Sequence, residues 1–327
     1  MTARPDPTDT PTDDASAPAT GDLLAADVPA AARGGSLLRE LAAYEALWLR
    51  PETTTDRVSS WFRDHPTRLP SALVPEAELA AARERVLERL AEGPAEPFRL
   101  ELSAMPDYPT GLRDARAFVP VLYRRGDRAL LANAPRVAII GSRQVSPAGE
   151  RRTRKLAMAL VRAGVTVVSG LADGVDTAAH NAAIAAGGRT VAVIGTPILE
   201  AYPKRNVALQ RRIGAEHLLV SQVPILRHAD QDPHANAAFF VERNATMAAL
   251  SDATIIVEAQ DRSGTLTQAH ACLHQGRPLF ALASCFADQR LTWPAALARQ
   301  GARRLHDVDD VLDGLLDHSL TSTRTPK

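Results

Sequence analysis

The chain has 327 residues, 45% of them hydrophobic and 4% aromatic, with 38 Lys+Arg against 38 Asp+Glu. That length suffices for one large domain and a smaller one. Zero net charge excludes a general basic field for nucleic acid, so any such binding has to be local, and the scarcity of aromatics excludes a surface covered with base-stacking platforms.

Residues 1–34 are rich in Ala, Pro, Thr and Asp and poor in large apolar side chains. Such a stretch cannot bury enough surface to offset its ordering entropy, so a disordered tail is expected. Residues 35–95 read as a helical module. Leu37, Leu38, Leu41, Tyr44, Leu47 and Trp48 fall on one stripe, and a second helix starts at Pro75 with early acids and stops at Gly93-Pro94. Residues 96–318 form the main domain, with 319–327 as a second disordered tail.

From about residue 136 the pattern changes. Short continuous runs rich in Val and Ile alternate with Ala-rich segments: RVAIIG, GVTVVSG, RTVAVIG, LLVSQV, ATIIVEA and PLFALA. Continuous rather than alternating runs predict strands covered on both faces. Helices are expected over 149–163, 176–187, 205–214, 243–250 and 265–275. Strand and helix in alternation predict an α/β fold, a Rossmann-like, doubly wound and largely parallel sheet preceded by the helical module. Ligands of such folds bind outside the carboxyl ends of the strands.

Those ends share a character. The first strand delivers Gly141, Ser142 and Arg143; the second, Ser169 and Gly170. The third leads to Lys204 and Arg205, and the fifth to Arg262, Ser263, Gly264 and Thr265. Glycines admit close approach to backbone N–H groups, helix N-termini favour anions, and hydroxyls and cations add donors and charge. Together these residues make a candidate phosphate cradle; each glycine alone also reads as turn chemistry. Neither GxGxxG nor a Walker A loop is present.

From about residue 107 to 315 the chain resembles the DNA-processing protein A (DprA/Smf) family. The resemblance rests on YPTGLRDARAFVPVLYRRGDRALL, VAIIGSR, SGLADGVDTAAH, YPKRN, FFVERNATMAALSD and VEAQDRSGTLTQAHACLHQGRPLFAL, in that order. It implies an extended Rossmann domain that binds single-stranded DNA without catalysis and helps load RecA during transformation. It implies a homodimer too. The family's pocket arginine falls on Arg143, and its phenylalanine-and-arginine motif on Phe240, Arg243 and Asn244. Val241 and Ala245 stand where the motif has a proline and a final arginine. Pro197 stands where a second glycine is usual, CFADQRLTWPAAL replaces a Pro-Gly and Asn-rich loop, and the winged-helix tail of many members is not expected after DVDDVLDGLL.

One of Phe239 and Phe240 is expected in the core, the other exposed for stacking on a base; which is which stays open. Arg243 is expected at a helix start, where the dipole disfavours a bare cation and a bound anion would relieve it. Arg151, Arg152, Arg154 and Lys155 read as a solvated helix face or as a rim guiding DNA toward Arg143. Asp176 reads as an N-cap, with His180 supporting the loop above it. His270 and His274 have metal-ligand spacing but no third partner, so no metal and no cofactor is expected. Cys272 and Cys285 form neither a CxxC nor a disulfide framework. With no apolar leader or membrane-length stretch, a reduced, soluble, cytoplasmic protein without membrane contact is expected.

The alternative is a nucleotide-binding or nucleotide-processing relative of the LOG phosphoribohydrolases. Those enzymes follow a glycine-threonine cradle with a catalytic acid. Here the comparable place reads Ser263-Gly264-Thr265-Leu266-Thr267-Gln268, without a carboxylate for acid–base work.

Overall fold

The computed structural model describes residues 37–322, apart from 94–95, 114, 116–117 and 133–134, and the side chains of 318–322. The tail expected over 1–34 lies outside the described residues.

Three helices come first: α1 (Leu37–Leu49), α2 (Thr55–Arg63) and α3 (Glu76–Glu92). Next come β1 (Arg99–Leu102), α4 (Thr110–Arg113), β2 (Val121–Gly126), β3 (Arg136–Ile140), α5 (Pro147–Arg162), β4 (Thr166–Ser169), α6 (Val175–Ala185) and β5 (Thr190–Ile194). The chain continues through α7 (Val207–Glu216), β6 (Leu218–Ser221), α8 (Ile225–Asp230), α9 (Ala237–Leu250), β7 (Ala253–Ile256), α10 (Gly264–His274) and β8 (Leu279–Leu282). It closes with α11 (Ala283–Ala287), α12 (Trp293–Arg299), β9 (Arg303–Leu305) and α13 (Val308–Ser322). The expected tail at 319–327 is therefore helical to Ser322; its remainder lies outside the described residues.

The described strands form a nine-stranded sheet in the order β1-β2-β6-β5-β4-β3-β7-β8-β9. From β6 to β9 every pairing is parallel. β1 and β2 extend one edge antiparallel. The chain winds outward from β3 through β4, β5 and β6, then crosses back to place β7 on the other side of β3. The switch point therefore falls between β3 and β7, the place where such sheets hold ligands.

The continuous apolar runs have their expected cause. Along β3, Val137 and Ile139 pack with Leu156 and Leu160 of α5, Val175 and Ala179 of α6 and Val311 of α13. Ala138 and Ile140 pack into the opposite core, shared by α1, α3, α9 and α10. Burial of each Val or Ile contributes about 1.5–3 kcal/mol. Local signals fix the helix starts beside the site. Ser146 caps α5 by accepting from Gly149 N at 2.9 Å, with Pro147 in its first turn, and Ser263 caps α10 by accepting from Thr265 N at 3.1 Å.

The helical module shares the core of the sheet. Glu45 of α1 is fully buried. It accepts from Tyr123 Oη at 2.6 Å, Ile225 N at 2.9 Å and Leu226 N at 2.8 Å. Burial pushes its carboxyl above the usual range, and the three donors oppose that shift. Trp48 of α1 meets Phe239 edge-on at 6.2 Å, so the module props the base of α9.

Candidate nucleic-acid interface at the sheet switch point

Above the β3–β7 switch point lies a cleft of about 740 Å³. β3 ends in Gly141 and Ser142, and Ser142 N donates to Glu258 O beyond β7 at 2.7 Å. This bond closes the switch point and projects Arg143, which is exposed, into the cleft. Opposite stand Phe240, Arg243 and Asn244 of α9, and Ser263, Gly264 and Thr265 at the start of α10. Ten of the residues expected in the sequence to touch DNA therefore fall on two joined recesses: nine line this cleft, and Gly170 lines a narrow slot continuous with it.

α9 begins at Ala237, six residues before the expected start at 243. Phe239 and Phe240 are thus neighbours on a helix rather than on a strand. Phe239 is buried against Trp48 and His228. Phe240 is half-buried and lines the cleft, with Tyr202 edge-on at 5.7 Å. Tyr202, 50% exposed, is a lining residue that the sequence reading missed, because only the fold places the loop after β5 against α9.

The helix shift also changes the reading of Arg243. It is no bare cation at a helix start but a buried one in the second turn. Its Nη1 donates to Gly170 O at 2.6 Å and Val193 O at 2.7 Å, and its Nε to Asn244 Oδ1 at 3.1 Å. Its charge partner is Asp176, buried in the first turn of α6. Burial pushes the Asp176 carboxyl up and the Arg243 guanidinium down, and each charge pulls the other back. Asp176 is accordingly not the N-cap of α6, a position held by Gly174; it accepts from Ala172 N at 3.2 Å.

Asn244 Nδ2 donates to Gly264 O at 3.4 Å, tying α9 to the start of α10. The Ser263 hydroxyl donates to Thr265 Oγ1 at 2.8 Å. The α10 N-terminus therefore opens on the cleft as a partly positive end with a second hydroxyl beside it.

Three expected contacts fall outside the lining. Ser169 is fully buried and donates to Ile139 O at 2.7 Å, pinning β4 to β3. Lys204 and Arg205 sit exposed on an adjoining rim, in a single 3-10 turn, and Arg205 pairs with Asp173 at 3.1 Å. Arg152 lines a separate recess with Glu258, Asp288 and Arg290, and Arg154 pairs with Glu150 at 2.8 Å. His180 supports the sheet rather than a loop: it is fully buried, with Nδ1 2.7 Å from Thr190 Oγ1. No group of three or more potential metal ligands occurs among the described residues, and none of their helices is long and apolar enough to cross a membrane. Cys272 and Cys285 are free and buried.

A family model described as DNA recombination-mediator protein A matches residues 100–316. The DNA processing protein DprA of Bacillus subtilis is 31% identical over 216 residues, 66% of this chain and 71% of its own length. Protein Smf of Synechocystis is 38% identical over 180 residues, but the match spans only 44% of that protein. The crystal structure of DprA from Streptococcus pneumoniae superposes with a TM-score of 0.66 at 28% identity, over 84% of this chain and 97% of that one. DprA of Helicobacter pylori, whose structure is described in terms of its single-stranded DNA binding mode, gives 0.58 at 26% identity over 68% and 97%.

Proposed function

The chain belongs to the DNA recombination-mediator protein A family, and from that premise we propose that it binds single-stranded DNA as a non-enzymatic recombination mediator acting in the cytoplasm. The observation that carries this reading is the convergence of Arg143, Phe240 and Gly264 on one cleft. Arg143 meets a phosphate, the α10 N-terminus with Ser263 and Thr265 donates to the next, and Phe240 stacks on a base. A phosphate contact releases counterions, so affinity falls as salt rises. Stacking is worth about 1–3 kcal/mol per base and tolerates any sequence.

The nucleotide-processing alternative needs a carboxylate free to move a proton. Of the carboxylates near the cleft, Asp176 is buried against the charge of Arg243, Asp173 in the adjoining slot pairs with Arg205 at 3.1 Å, and Glu258 accepts from Ser146 N and Oγ at the neighbouring recess. The α10 start offers Gln268 where an acid would act. These placements support the binder. For a homodimer and for RecA as a partner, support comes from family membership alone.

Anisotropy titration of a labelled oligothymidylate at two ionic strengths tests the proposal. Saturable binding that weakens with salt is expected; no binding at the lower ionic strength overturns it. Release of free base from nucleoside monophosphates in parallel would establish the alternative.

A further inference from the structure

Beyond β7, a second groove of about 260 Å³ opens between α5, the end of β8 and the turn from β9 into α13. It shares no lining residue with the DNA cleft. Its floor is apolar, made by Leu156, Ala159, Leu282, Leu305 and Val308, and Arg152 and Lys155 stand along one wall. We propose that this groove receives the carboxyl terminus of a partner protein whose last residue is large and apolar and whose preceding residues are acidic.

Three observations carry this. First, the wall holds uncompensated positive charge. Of Arg151, Arg152, Arg154 and Lys155, only Arg154 is in an ion pair among the described residues. Arg152 also borders the neighbouring recess, but the carboxylates there are engaged. Glu258 accepts from Ser146 N at 3.1 Å and Ser146 Oγ at 2.6 Å, and Asp288 pairs with Arg290 at 2.7 Å. Across the groove, Asp307 accepts from Val308 N, and Asp310 accepts from His306 N at 2.7 Å and Asp307 N at 3.1 Å. Those acids serve the start of α13.

Second, charge and floor meet on one element. Arg152, Lys155, Leu156 and Ala159 lie within two turns of α5. A ligand that sets an apolar side chain on the floor must therefore carry its anion beside that side chain. In an extended peptide, adjacent side chains point to opposite sides, so a neighbouring acid would turn away from α5. A terminal carboxylate shares its Cα with the apolar side chain and reaches the same wall. Third, the basic surface continues past the groove. Arg151, Lys155, Met158 and Arg162 follow helical spacing on one face and are all exposed, Met158 by 40%. Acids preceding the terminus meet this stripe. A nucleic-acid strand would use the cations but leave the apolar floor uncovered, and no Phe, Tyr or Trp is among the described residues that line the groove.

Anisotropy titration of the full chain with a labelled peptide, Asp-Asp-Asp-Leu-Phe, tests the proposal. Its carboxyl-terminal amide and the version ending in Ala serve as comparisons. We expect saturable binding of the free acid, weakened about three- to tenfold by the amide and about tenfold or more by the terminal Ala. Arg152→Glu should weaken the free acid about fivefold or more, and Ala159→Glu, which fills the groove, should abolish binding. Arg152 is exposed, so its variant decides the matter even where Ala159→Glu folds poorly. Arg143→Glu should leave peptide binding unchanged. Equal affinity for acid and amide, wild-type affinity in Arg152→Glu, or no wild-type binding at millimolar peptide overturns the proposal. If Arg152→Glu instead weakens oligothymidylate binding and leaves the peptide unaffected, the α5 cations belong to the DNA strand and the proposal falls. Failure of wild type to bind oligothymidylate would overturn the DNA reading and leave this one standing.

Discussion

Arg243 Nη1 donates to Gly170 O at 2.6 Å, so the cation at the centre of the site is bound to the tip of β4 rather than held open for a ligand. The same nitrogen reaches Val193 O, and the guanidinium neutralises Asp176. Arg243→Ala would leave a buried carboxylate and two strand-end carbonyls without their partner. Breaking a buried pair in this way costs about 3–5 kcal/mol. Urea unfolding of the variant is expected to show that loss, and Arg243→Lys should recover only part of it, since one ammonium cannot reproduce the planar fork. A stability within 1 kcal/mol of wild type would show that Arg243 is dispensable to the fold.

Arg143 differs from Arg243 in exposure. It is solvent-exposed and has no structural duty comparable to that of Arg243. Arg143→Glu should therefore leave the unfolding midpoint unchanged and weaken oligonucleotide binding by about 1.5–3 kcal/mol, roughly ten- to hundredfold. The slope of log affinity against log salt should become shallower by about 0.7–1. A folded variant with the wild-type slope would place the phosphates elsewhere.

Gly195 controls where Phe240 sits. A methyl group at residue 195 would lie 2.6 Å from the Phe240 ring, so Gly195→Ala forces the ring out of its present position. Phe240→Ala should lose the stacking contribution of about 1–3 kcal/mol. Gly195→Ala should lose a similar amount, and the double variant should be no weaker than Phe240→Ala alone, because both changes remove one contact. Additive losses would mean that the two residues act separately.

How much of this was legible in the sequence depended on what determines each feature. The central strands were legible because burial on both faces leaves continuous apolar runs such as Val137–Ile140, and strand order then points to the carboxyl ends. The start of α9 was not legible. Asn236 at its cap makes no side-chain capping bond, and Ala-Ala-Phe-Phe carries no polar stripe. That six-residue error moved Arg243 from a helix end to a buried second turn. β1 and β2 went unread because charged residues interrupt their apolar runs, Glu101 in β1 and Arg124 and Arg125 in β2, and the antiparallel pairing at the sheet edge lies outside the βαβ alternation. Tyr202, and Asp176 as the partner of Arg243, depend on tertiary contacts between the loop after β5, α6 and α9, which no local pattern encodes.

His180 gives the fold a dependence on pH. Burial pushes its imidazole from 6.5 down to about 3, with the nearby His217 charge adding to the shift. Thr190 Oγ1 already donates to Val167 O at 2.9 Å, so it accepts from His180, which carries its proton on Nδ1. The folded chain thus keeps His180 neutral while the unfolded chain protonates it. Between 6.5 and about 3 the unfolded state binds more protons, so stability is fully present above that window and declines as pH falls through it. Well inside the window the slope is about 1.4 kcal/mol per pH unit. Asp176 and Glu45, whose carboxyls are pushed up by burial, act in the opposite sense, so the whole-protein profile mixes the two. The comparison of wild type with His180→Gln removes that mixture. Urea unfolding across the window should show the wild type losing stability on acidification faster than the variant by about that slope, and parallel profiles would exclude His180 as the source.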